Sequence, residues 1–430
     1  MAGSPLCLTL LLSLFLWCSL RGKGAVILSL KKQLLPRHSY SLLSSSDEMP
    51  FHHNVSLTVS LTVGSPPQPV TMVLDTGSEL SWLRCKAADG LNLIFNSSAS
   101  RSYTRIPCKS PTCRFKTRDL TIPVSCDAAK LCHAVVSYVD STSLEGTLAY
   151  ETFRFGTETR RAIAFGCMDS GSTSNPAEDS KTTGLMGMNR GALSFVSQMG
   201  LKKFSYCISG TDASGVLILG NASLPWLTPL RYTSLVLMDI PLPYFNRVAY
   251  SVKLQGINVD GLPLTLSASS FEPDHSGAGQ TMVDSGTQFT FLMGPVYRAL
   301  RNEFLSKTNR SLRVLDDSNF LFQGAMDLCY LVPLNAKTLP SLPQVSMVFN
   351  GAEINVAGEK LLYKVPGEFR GNDAVWCLTF GNSDYIGSEA FVIGHHHQQD
   401  LWMEFDIAGN RIGIAETSCD IASRKLGLGF

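Results

Sequence analysis

One stretch decides the fold of this chain: Met72-Val73-Leu74-Asp75-Thr76-Gly77-Ser78-Glu79-Leu80-Ser81-Trp82. An apolar run leads directly into Asp75, the chain turns at Gly77, and an apolar segment follows. An ionised carboxylate at the end of a buried strand is costly unless hydrogen bonds or a chemical role stabilise it. Thr76, Gly77 and Ser78 offer backbone N–H groups and hydroxyls that can hold the carboxylate. Asp-Thr-Gly is also ordinary turn chemistry, so this stretch alone does not distinguish a site from a turn.

The same pattern returns 209 residues later as Thr281-Met282-Val283-Asp284-Ser285-Gly286-Thr287-Gln288-Phe289-Thr290-Phe291. Each acidic turn is followed, at nearly the same distance, by an apolar run that contains a glycine. Gly187 lies 112 residues after Asp75, and Gly394 lies 110 residues after Asp284. This spacing indicates an internal duplication, with each copy contributing one acidic turn.

The patterns around these turns favour strands over helices. Leu57–Val63 alternates apolar and polar residues, and Val70–Leu74 returns after a Pro-rich turn, so Asp75 is expected at the exit of a hairpin. One clear helix is predicted from Pro295, with Val296, Leu300 and Phe304 on one face. The sequence therefore predicts an all-β protein with a few short helices and two lobes. The N-terminal lobe, 55–240, carries Asp75, and the C-terminal lobe, 241–430, carries Asp284.

Composition excludes several classes of function. The chain has 430 residues, of which 17% are charged and 44% apolar, and its net charge is +1. A nearly neutral chain argues against a nucleic-acid partner or a membrane-surface partner. There is no Gly-rich phosphate loop and no Gly-x-Ser-x-Gly elbow, so no cofactor is expected.

The N-terminus suggests export. Leu6–Leu20 is a 15-residue apolar run, and the predicted signal peptide spans 1–24. The alternative is an uncleaved anchor, although the run is shorter than the roughly 20 residues that a spanning helix needs. No later stretch is long enough to span a bilayer. Residues 25–54, which include Lys31 and Lys32, are either a loosely ordered lead-in or a short basic pro-segment, and both remain open.

The cysteines favour disulfides in an oxidising compartment. Ten of the twelve cysteines follow the predicted signal peptide, an even number. Zinc is disfavoured because the C-x4-C and C-x5-C pairs lack a C-x2-C partner set. The pairing of most of them is unknown from the sequence: Cys85, Cys108, Cys113, Cys126, Cys132, Cys167, Cys207 and Cys419. Four Asn-x-Ser sequons are candidate glycosylation sites: Asn54, Asn96, Asn221 and Asn309.

A long hairpin is predicted over 135–149. Two apolar strands flank a polar tip, and Tyr138 lies at the base of that tip. Such a hairpin could close over a cleft and exclude water. The alternative is a surface hairpin in which the tyrosine only packs.

Two symmetry-related acids suggest a shared site. If the lobes face each other, Asp75 and Asp284 lie within hydrogen-bonding distance, and the pair holds one proton over a wide acidic range. One carboxylate then takes a proton from water while the other protonates a substrate carbonyl, which hydrolyses an amide without a covalent intermediate. Around them, Thr76 and Ser285 could bond across the lobes. Further support comes from Gly77, Ser78, Gly286 and Thr287.

Two other motifs are set aside. Asp169-Ser170-Gly171-Ser172 has the letters of an acidic turn, but no apolar strand follows and no counterpart exists, so a loop is predicted. His395-His396-His397 invites a metal interpretation. Three consecutive residues on a strand would alternate faces, however, so a metal site is not predicted there.

These motifs resemble the pepsin-like aspartic proteases, in particular the plant nepenthesin-type branch. The resemblance covers nearly all of the chain after residue 50. It is specific at the two acidic turns, at Phe165-Gly166-Cys167, and in the run from Val392-Ile393-Gly394 to Gln398-Gln399-Asp400. It implies a bilobal pepsin-like fold, a catalytic pair made of Asp75 and Asp284, and Tyr138 as the flap tyrosine with Trp82 beside the substrate.

The resemblance also implies partners and location. The expected partner is a peptide or protein substrate bound in an extended conformation, and the enzyme is expected to be a monomer. A secretory-pathway protease of the endoplasmic reticulum lumen or the extracellular space is implied, with a role in plant programmed cell death, cell survival and development.

The chain departs from the nepenthesin pattern in several places. Val139 stands in the flap where the family commonly has Gly or Ala, and ten mature cysteines are fewer than the family's twelve. Family position implies a Cys329–Cys377 bridge. The rival function is a catalytically silent inhibitor or binding module of the same fold, in which one acidic turn is typically lost. Both turns are intact here, which favours the enzyme.

Overall fold

The computed structural model describes residues 24–35, 54–87, 93–211 and 214–428. Nearly all of the predicted signal peptide lies outside the described residues. Within the ranges described, no helix is long and apolar enough to cross a membrane.

Among the residues that the structure describes, the first half of the chain contains twelve strands. They are β1 Val26–Leu34, β2 Val55–Val63, β3 Gln68–Asp75, β4 Trp82–Arg84, β5 Thr104–Arg105, β6 Ser125–Cys126, β7 Cys132–Ser137, β8 Ser143–Phe155, β9 Glu158–Ser172, β10 Gly184–Gly187, β11 Lys203–Cys207 and β12 Gly215–Leu219.

The described part of the second half adds sixteen strands. They are β13 Arg231–Ser234, β14 Ser251–Val252, β15 Leu254–Val259, β16 Leu262–Pro263, β17 Gln280–Val283, β18 Thr290–Leu292, β19 Arg313–Val314, β20 Cys329–Pro333, β21 Val345–Phe349, β22 Ala352–Val356, β23 Leu362–Arg370, β24 Asp373–Leu378, β25 Phe380–Asn382, β26 Ala390–Ile393, β27 Leu401–Asp406 and β28 Arg411–Glu416.

Helices are few and mostly short, which confirms the predicted class. The α-helices are α1 Pro176–Asp179, α2 Phe195–Met199, α3 Gly294–Thr308 and α4 Cys419–Lys425. Single 3-10 or π turns cover Ser97–Ala99, Thr112–Lys116, Ala268–Phe271, Gly358–Lys360, Ser383–Ile386 and His395–Gln398. The one long helix, α3, is the predicted one, and it buries Val296, Leu300 and Phe304 against the core.

The two acidic turns sit in duplicated strand arrangements. In the first half β3 pairs in parallel with β10, which is antiparallel to β4, and β4 is parallel to β9. In the second half β17 pairs in parallel with β26, which is antiparallel to β18, and β18 is parallel to β25. The predicted internal duplication is therefore present in the topology, and each acid stands at the end of the corresponding strand.

One large sheet joins the halves. Its strand order runs β13-β28-β27-β11-β12-β1-β2-β3-β10-β4-β9-β8-β7-β6, so strands from both ends of the chain meet in it. Phe204 of β11 stacks on Phe405 of β27 with ring centroids 4.5 Å apart, and both rings are fully buried. Aromatic packing of this kind fixes the two halves against each other and so fixes the cleft between them.

The N-terminal lead-in differs from the prediction. Val26–Leu34 is a strand, paired with β12 at its start and with β2 at its end. Leu28 and Leu30 are buried in the core, whereas the lysines between the apolar positions are more exposed. The segment is therefore an ordered part of the sheet, and the expectation of a loose lead-in is wrong for these residues. Residues 36–53 lie outside the described part.

The prediction of a loop at Asp169–Ser172 is also wrong. These residues form the end of β9, where Ser170 pairs with Glu145 and Ser172 with Ser143 of β8. Beyond Met168 the strand loses β4 as a partner, so its residues are exposed and polar although the backbone stays paired. Exposure, rather than a break in the strand, explains the lack of apolar residues here.

All ten cysteines are paired within the described chain. The implied Cys329–Cys377 bridge is present and joins directly opposed residues of β20 and β24. The other four bridges are Cys85–Cys167, Cys108–Cys126, Cys113–Cys132 and Cys207–Cys419. The last of these ties α4 to the large sheet.

Candidate active site

The first acidic turn holds its carboxylate with donors from Gly77 and Ser78. Asp75 Oδ1 accepts from the backbone N–H of Gly77 at 2.7 Å and from that of Ser78 at 3.2 Å. Asp75 Oδ2 accepts from the Ser78 hydroxyl. The turn that follows β3 therefore supplies the partners that a buried carboxylate requires.

The second turn repeats this arrangement. Asp284 Oδ1 accepts from the N–H of Gly286 at 2.8 Å, and Asp284 Oδ2 accepts from the Thr287 hydroxyl at 2.6 Å. The hydroxyls of Ser78 and Thr287 thus occupy equivalent positions on the outer oxygens of the two acids.

Reciprocal hydrogen bonds lock the turns together. The N–H of Thr76 donates to Ser285 Oγ at 3.1 Å, and the N–H of Ser285 donates to Thr76 Oγ1 at 2.9 Å. Each hydroxyl then donates to a carbonyl of the opposite half, Thr76 to Val283 at 3.2 Å and Ser285 to Leu74 at 2.9 Å. Four bonds between fully buried groups fix the distance between the halves, so the position of the carboxylates is set by the backbone.

The two carboxyl groups touch. Asp75 is 6% exposed and its side chain hydrogen-bonds to that of Asp284. Burial and the neighbouring charge of Asp284 raise the pKa of Asp75 well above its usual range. Two carboxylates at this distance cannot both ionise cheaply, so the pair retains one proton.

This arrangement can perform general acid–base hydrolysis. The ionised carboxylate accepts a proton from a water molecule, and the water oxygen attacks the peptide carbonyl carbon. The protonated carboxyl donates to the carbonyl oxygen, so the charge that develops is neutralised within the pair. The carboxyl group that took the proton from water then donates it to the amide nitrogen as the C–N bond breaks and the amine leaves.

The predicted flap covers this pair. β7 and β8 form the hairpin, and Trp82 Nε1–H donates to the Tyr138 hydroxyl at 2.7 Å. Asp140 at the tip accepts from the Ser174 hydroxyl at 2.8 Å, which fastens the tip to a neighbouring loop. Val139 beside it departs from the family pattern; it is 62% exposed and is among the residues that line the cleft.

The acids and the flap enclose one cleft. Its volume is about 430 Å³, and its lining includes both turns and the flap residues Val136, Tyr138 and Asp140. A cleft of this size with two carboxyl groups at its floor matches a site for an extended peptide segment.

Sequence reasoning missed a supporting glutamine. Gln398 is fully buried, and its amide donates to the carbonyls of Asp284 at 3.1 Å and Ile393 at 2.7 Å. Its oxygen accepts from the Tyr206 hydroxyl of the other half. A polar residue just after the apolar-Gly strand was the available signal, since that strand runs beside the acidic turn.

The three histidines have structural partners. They lie in a 3-10 turn after β26, not on a strand, so the argument from alternating faces was wrong. His397 hydrogen-bonds to Thr290 at 2.7 Å and to Thr379 at 2.8 Å, and His396 contacts the Lys360 carbonyl at 2.9 Å. Burial lowers the pKa of His396 to about 4 and that of His397 well below its usual value. His396 and His397 are therefore neutral, hydrogen-bonded residues.

The sequons differ in accessibility. Asn96, Asn221 and Asn309 are exposed, whereas Asn54 is half-buried and its N–H donates to Gln288 at 2.8 Å. The Asn96 side-chain oxygen also caps a 3-10 turn by accepting from Ala99.

We expect Tyr138→Phe to lower kcat/KM about 2- to 10-fold, with the fold unchanged. The change removes one partly buried hydrogen bond to Trp82, a loss of about 0.5–1.5 kcal/mol. Steady-state cleavage of a peptide measures the effect. Tyr232→Phe is the control, because it removes a tyrosine hydrogen bond to Glu404 away from the cleft. Equal rates for wild type and Tyr138→Phe would contradict a role for the hydroxyl in holding the flap.

Stability is expected to fall as pH rises. The folded-state pKa of Asp75 is raised above its ordinary value of 3.8, so the folded protein binds that proton more tightly than the unfolded chain. The contribution of this group to the free energy of unfolding is therefore greatest below pH 4, and it is lost as the pH rises toward neutral. Asp75→Asn removes the effect and should be more stable than wild type by about 1–3 kcal/mol at pH 7, with little difference at pH 3.

Denaturant unfolding of both proteins at pH 3, 5 and 7 measures this difference. Glu303→Gln serves as the control, because it removes one charge from the outer surface of α3. If wild type and Asp75→Asn had the same free energy of unfolding at every pH, the pKa of Asp75 would not be raised in the folded protein.

The sequence profiles that match the chain cover both halves. The profile described as "Xylanase inhibitor N-terminal" matches residues 57–221, and the one described as "Xylanase inhibitor C-terminal" matches 249–416. Their boundaries agree with one acidic turn per half.

Curated relatives share the sequence over most of its length. The chain is 57% identical to "Aspartic proteinase PCS1" of Arabidopsis thaliana over 94% of this chain and 90% of the relative. It is 30% identical to "Aspartic proteinase nepenthesin-2" of Nepenthes gracilis over 84% of this chain and 77% of the relative.

Solved structures share the fold at lower identity. The crystal structure of edgp superposes with a TM-score of 0.65 and 19% identity, covering 93% of this chain and 96% of that one. Basic 7S globulin from soybean superposes with a TM-score of 0.63 and 18% identity, covering 92% and 97%. The architecture, the paired acids and these relatives together show that the chain belongs to the pepsin-like aspartic proteases, on the branch that includes the nepenthesins.

Proposed function

We propose that this aspartic protease is an endopeptidase of the secretory pathway that cleaves extended peptide segments under acidic conditions. The observation that carries the proposal is the contact between Asp75 and Asp284, each held by its own turn and locked by the Thr76–Ser285 bonds. That geometry supports a water-mediated reaction in which the pair needs one proton.

Two features support the secretory pathway. The predicted signal peptide would direct export, and the five disulfides are of the kind that persists in oxidising compartments. We place the enzyme in the endoplasmic reticulum lumen or the extracellular space, acting as a monomer. A role in plant programmed cell death, cell survival and development rests on the sequence resemblance.

The test is cleavage of an unstructured protein between pH 3 and 7, with and without pepstatin. We expect pepstatin-sensitive cleavage in the acid range, with cuts inside the chain and not only at its ends. Mass spectrometry of the products identifies the cut sites. No cleavage by the folded, correctly processed protein at any pH would overturn the proposal.

The alternative is a catalytically silent inhibitor, which the descriptions of the matching profiles favour. The pair of intact acids argues against it, since an inhibitor has no need of two touching, partly protonated carboxyl groups. Tight binding and inhibition of a xylanase, without proteolysis, would support the alternative.

A further inference from the structure

A basic patch lies on the segment between β5 and β7. Residues 106–131 contain five lysine or arginine residues and two acids, in a chain whose net charge is +1. Arg114, Lys116 and Arg118 are exposed to solvent, and these three residues define the basic patch. Among the described residues, none of the three is ion-paired with a carboxylate. The patch therefore presents a local excess of positive charge to solvent.

Phe115 arranges two of these cations. Its ring is 53% exposed. The guanidinium carbon of Arg114 lies 5.5 Å from the ring centroid, and that of Arg118 lies 5.1 Å from it. Both distances are within the range of cation–π contact, so the ring holds the two guanidinium groups near each other at the surface. Guanidinium groups bind carboxylates through paired hydrogen bonds, so this arrangement suits an acidic partner.

Disulfides hold the segment in place. The bridges are Cys108–Cys126 and Cys113–Cys132, and the second of them joins the turn of the patch to β7. The hydroxyl of Thr117 also donates to the carbonyl of Cys113 at 2.6 Å. A surface that is ordered before binding loses less conformational entropy when a partner binds.

The basic patch adjoins the substrate cleft. Residues 119–122, which follow Arg118 directly, are among those that line the cleft with the catalytic pair. Asp119 is paired with Arg247 of the second half, which fixes this wall of the cleft. Consecutive Cα atoms are about 3.8 Å apart, and an extended peptide advances about 3.3 Å per residue. A substrate chain that leaves the cleft along this wall therefore passes the patch within a few residues.

We propose that the basic patch is an exosite that binds an acidic stretch of the protein substrate, a few residues away from the bond that is cut. The inference rests on the proposed protease function and adds a substrate preference to it. Aspartate or glutamate side chains of the substrate pair with Arg114, Lys116 and Arg118 while the cleft holds the bond to be cleaved. Because the patch does not touch the reacting atoms, its effect is on KM and not on kcat.

Other polyanions would also be attracted to exposed cations, for example a membrane with acidic lipids. The substrate is the favoured partner because the patch continues a wall of the cleft, so that one extended chain can occupy both. A membrane-binding patch has no need of this continuity.

The experiment uses peptides that share one cleavable core. A Gly/Ser spacer of about five residues joins the core to a tail of glutamates or a tail of glutamines, at either end of the peptide. At pH 5.5 the glutamates are ionised, since their ordinary pKa is about 4.3. We expect the wild type to show a KM about 10-fold lower for the glutamate tail, at one end of the peptide only. In about 0.5 M salt the preference should fall below about 2-fold, because exposed charges are screened.

A triple variant removes the patch: Arg114→Gln, Lys116→Gln and Arg118→Gln. It should reduce the preference for the glutamate tail to below about 2-fold and leave cleavage of the glutamine-tailed peptide nearly unchanged. An absence of the preference in the wild type, or an unchanged preference in the folded triple variant, would overturn the exosite.

The matched control removes three exposed cations that do not line the cleft: Lys202→Gln, Arg310→Gln and Lys337→Gln. It changes the net charge by the same amount, so it should keep the full preference if the position of the cations matters. A loss of preference in this control equal to that in the triple variant would mean that only the net charge acts, and would overturn the exosite.

A charge reversal gives a readout that a structural role cannot produce. Arg114→Glu combined with Arg118→Glu places two acids where two cations stood. This variant should favour a lysine tail over a glutamate tail by about 3- to 10-fold in KM, the reverse of the wild-type order. A folded double variant that still favours the glutamate tail would contradict the exosite.

Failure of the protease function gives a different result. In that case no peptide is cleaved, including the glutamine-tailed one, and binding of the tailed peptides is measured by fluorescence anisotropy. Tighter binding of the glutamate tail that is lost in the triple variant would support the exosite even then, and equal binding of both tails would contradict it. Patch-dependent binding to phosphatidylserine vesicles, without any preference between the tails, would overturn the exosite in favour of a membrane surface.

Discussion

Asp75→Asn and Asp284→Asn should each lower kcat for peptide cleavage by at least about 10³-fold. An amide cannot share the single proton of the pair, so each change removes both the general base and the general acid function, and each of those contributes about 10²–10⁴-fold. Because the two acids act as a unit, the double variant should be little worse than either single one. Single-turnover assays at pH 4 measure the residual rates.

The chain supplies its own control for this prediction. Asp169 stands in a sequence with the same letters, but it lies on the exposed end of β9. Asp169→Asn should retain wild-type activity. If Asp75→Asn kept more than about a tenth of the wild-type rate while folded, the general acid–base mechanism would be wrong for this protein.

Gly286→Ala should lower kcat by about 10²-fold while the protein still folds. A Cβ at Gly286 would lie 2.4 Å from Asp75 Oδ1 and 2.5 Å from its Cγ, so the opposite carboxyl must move. A displacement of about 1 Å at reacting groups can cost a factor of this size. Gly77→Ala should be milder, because its Cβ would approach Asp284 Oδ1 only to 2.9 Å.

Gly256→Ala is the matched control, since a Cβ there meets nothing within 4 Å. Activity and circular dichroism of the three variants are compared under one set of conditions. Equal activity of Gly286→Ala and Gly256→Ala would mean that the carboxyl groups are not in contact as described.

Much of the architecture could be predicted because the signals were local and repeated. The acidic turns follow apolar strands in both halves, and the near-equal spacing to Gly187 and Gly394 indicates the duplication that the parallel strand pairs contain. The bonds between Thr76 and Ser285 could be anticipated for the same reason, since symmetry places the two turns face to face.

The predictions that failed concern segments whose structure depends on contacts with distant parts of the chain. The strand Val26–Leu34 combines a short alternation with lysines, and only its long-range pairing with β12 and β2 orders it. Ser170 and its neighbours are polar because one side of β9 is uncovered, which no local pattern reveals.

The most direct test of the shared proton is the pH dependence of kcat/KM for an unstructured peptide between pH 2 and 9. If Asp75 and Asp284 act with one proton between them, the profile is bell-shaped. Activity rises as the first proton leaves the pair and falls as the second leaves, with the maximum on the acid side of neutrality. A profile that continues to rise above pH 8 would contradict the account, because both carboxyl groups would then be ionised in the active enzyme.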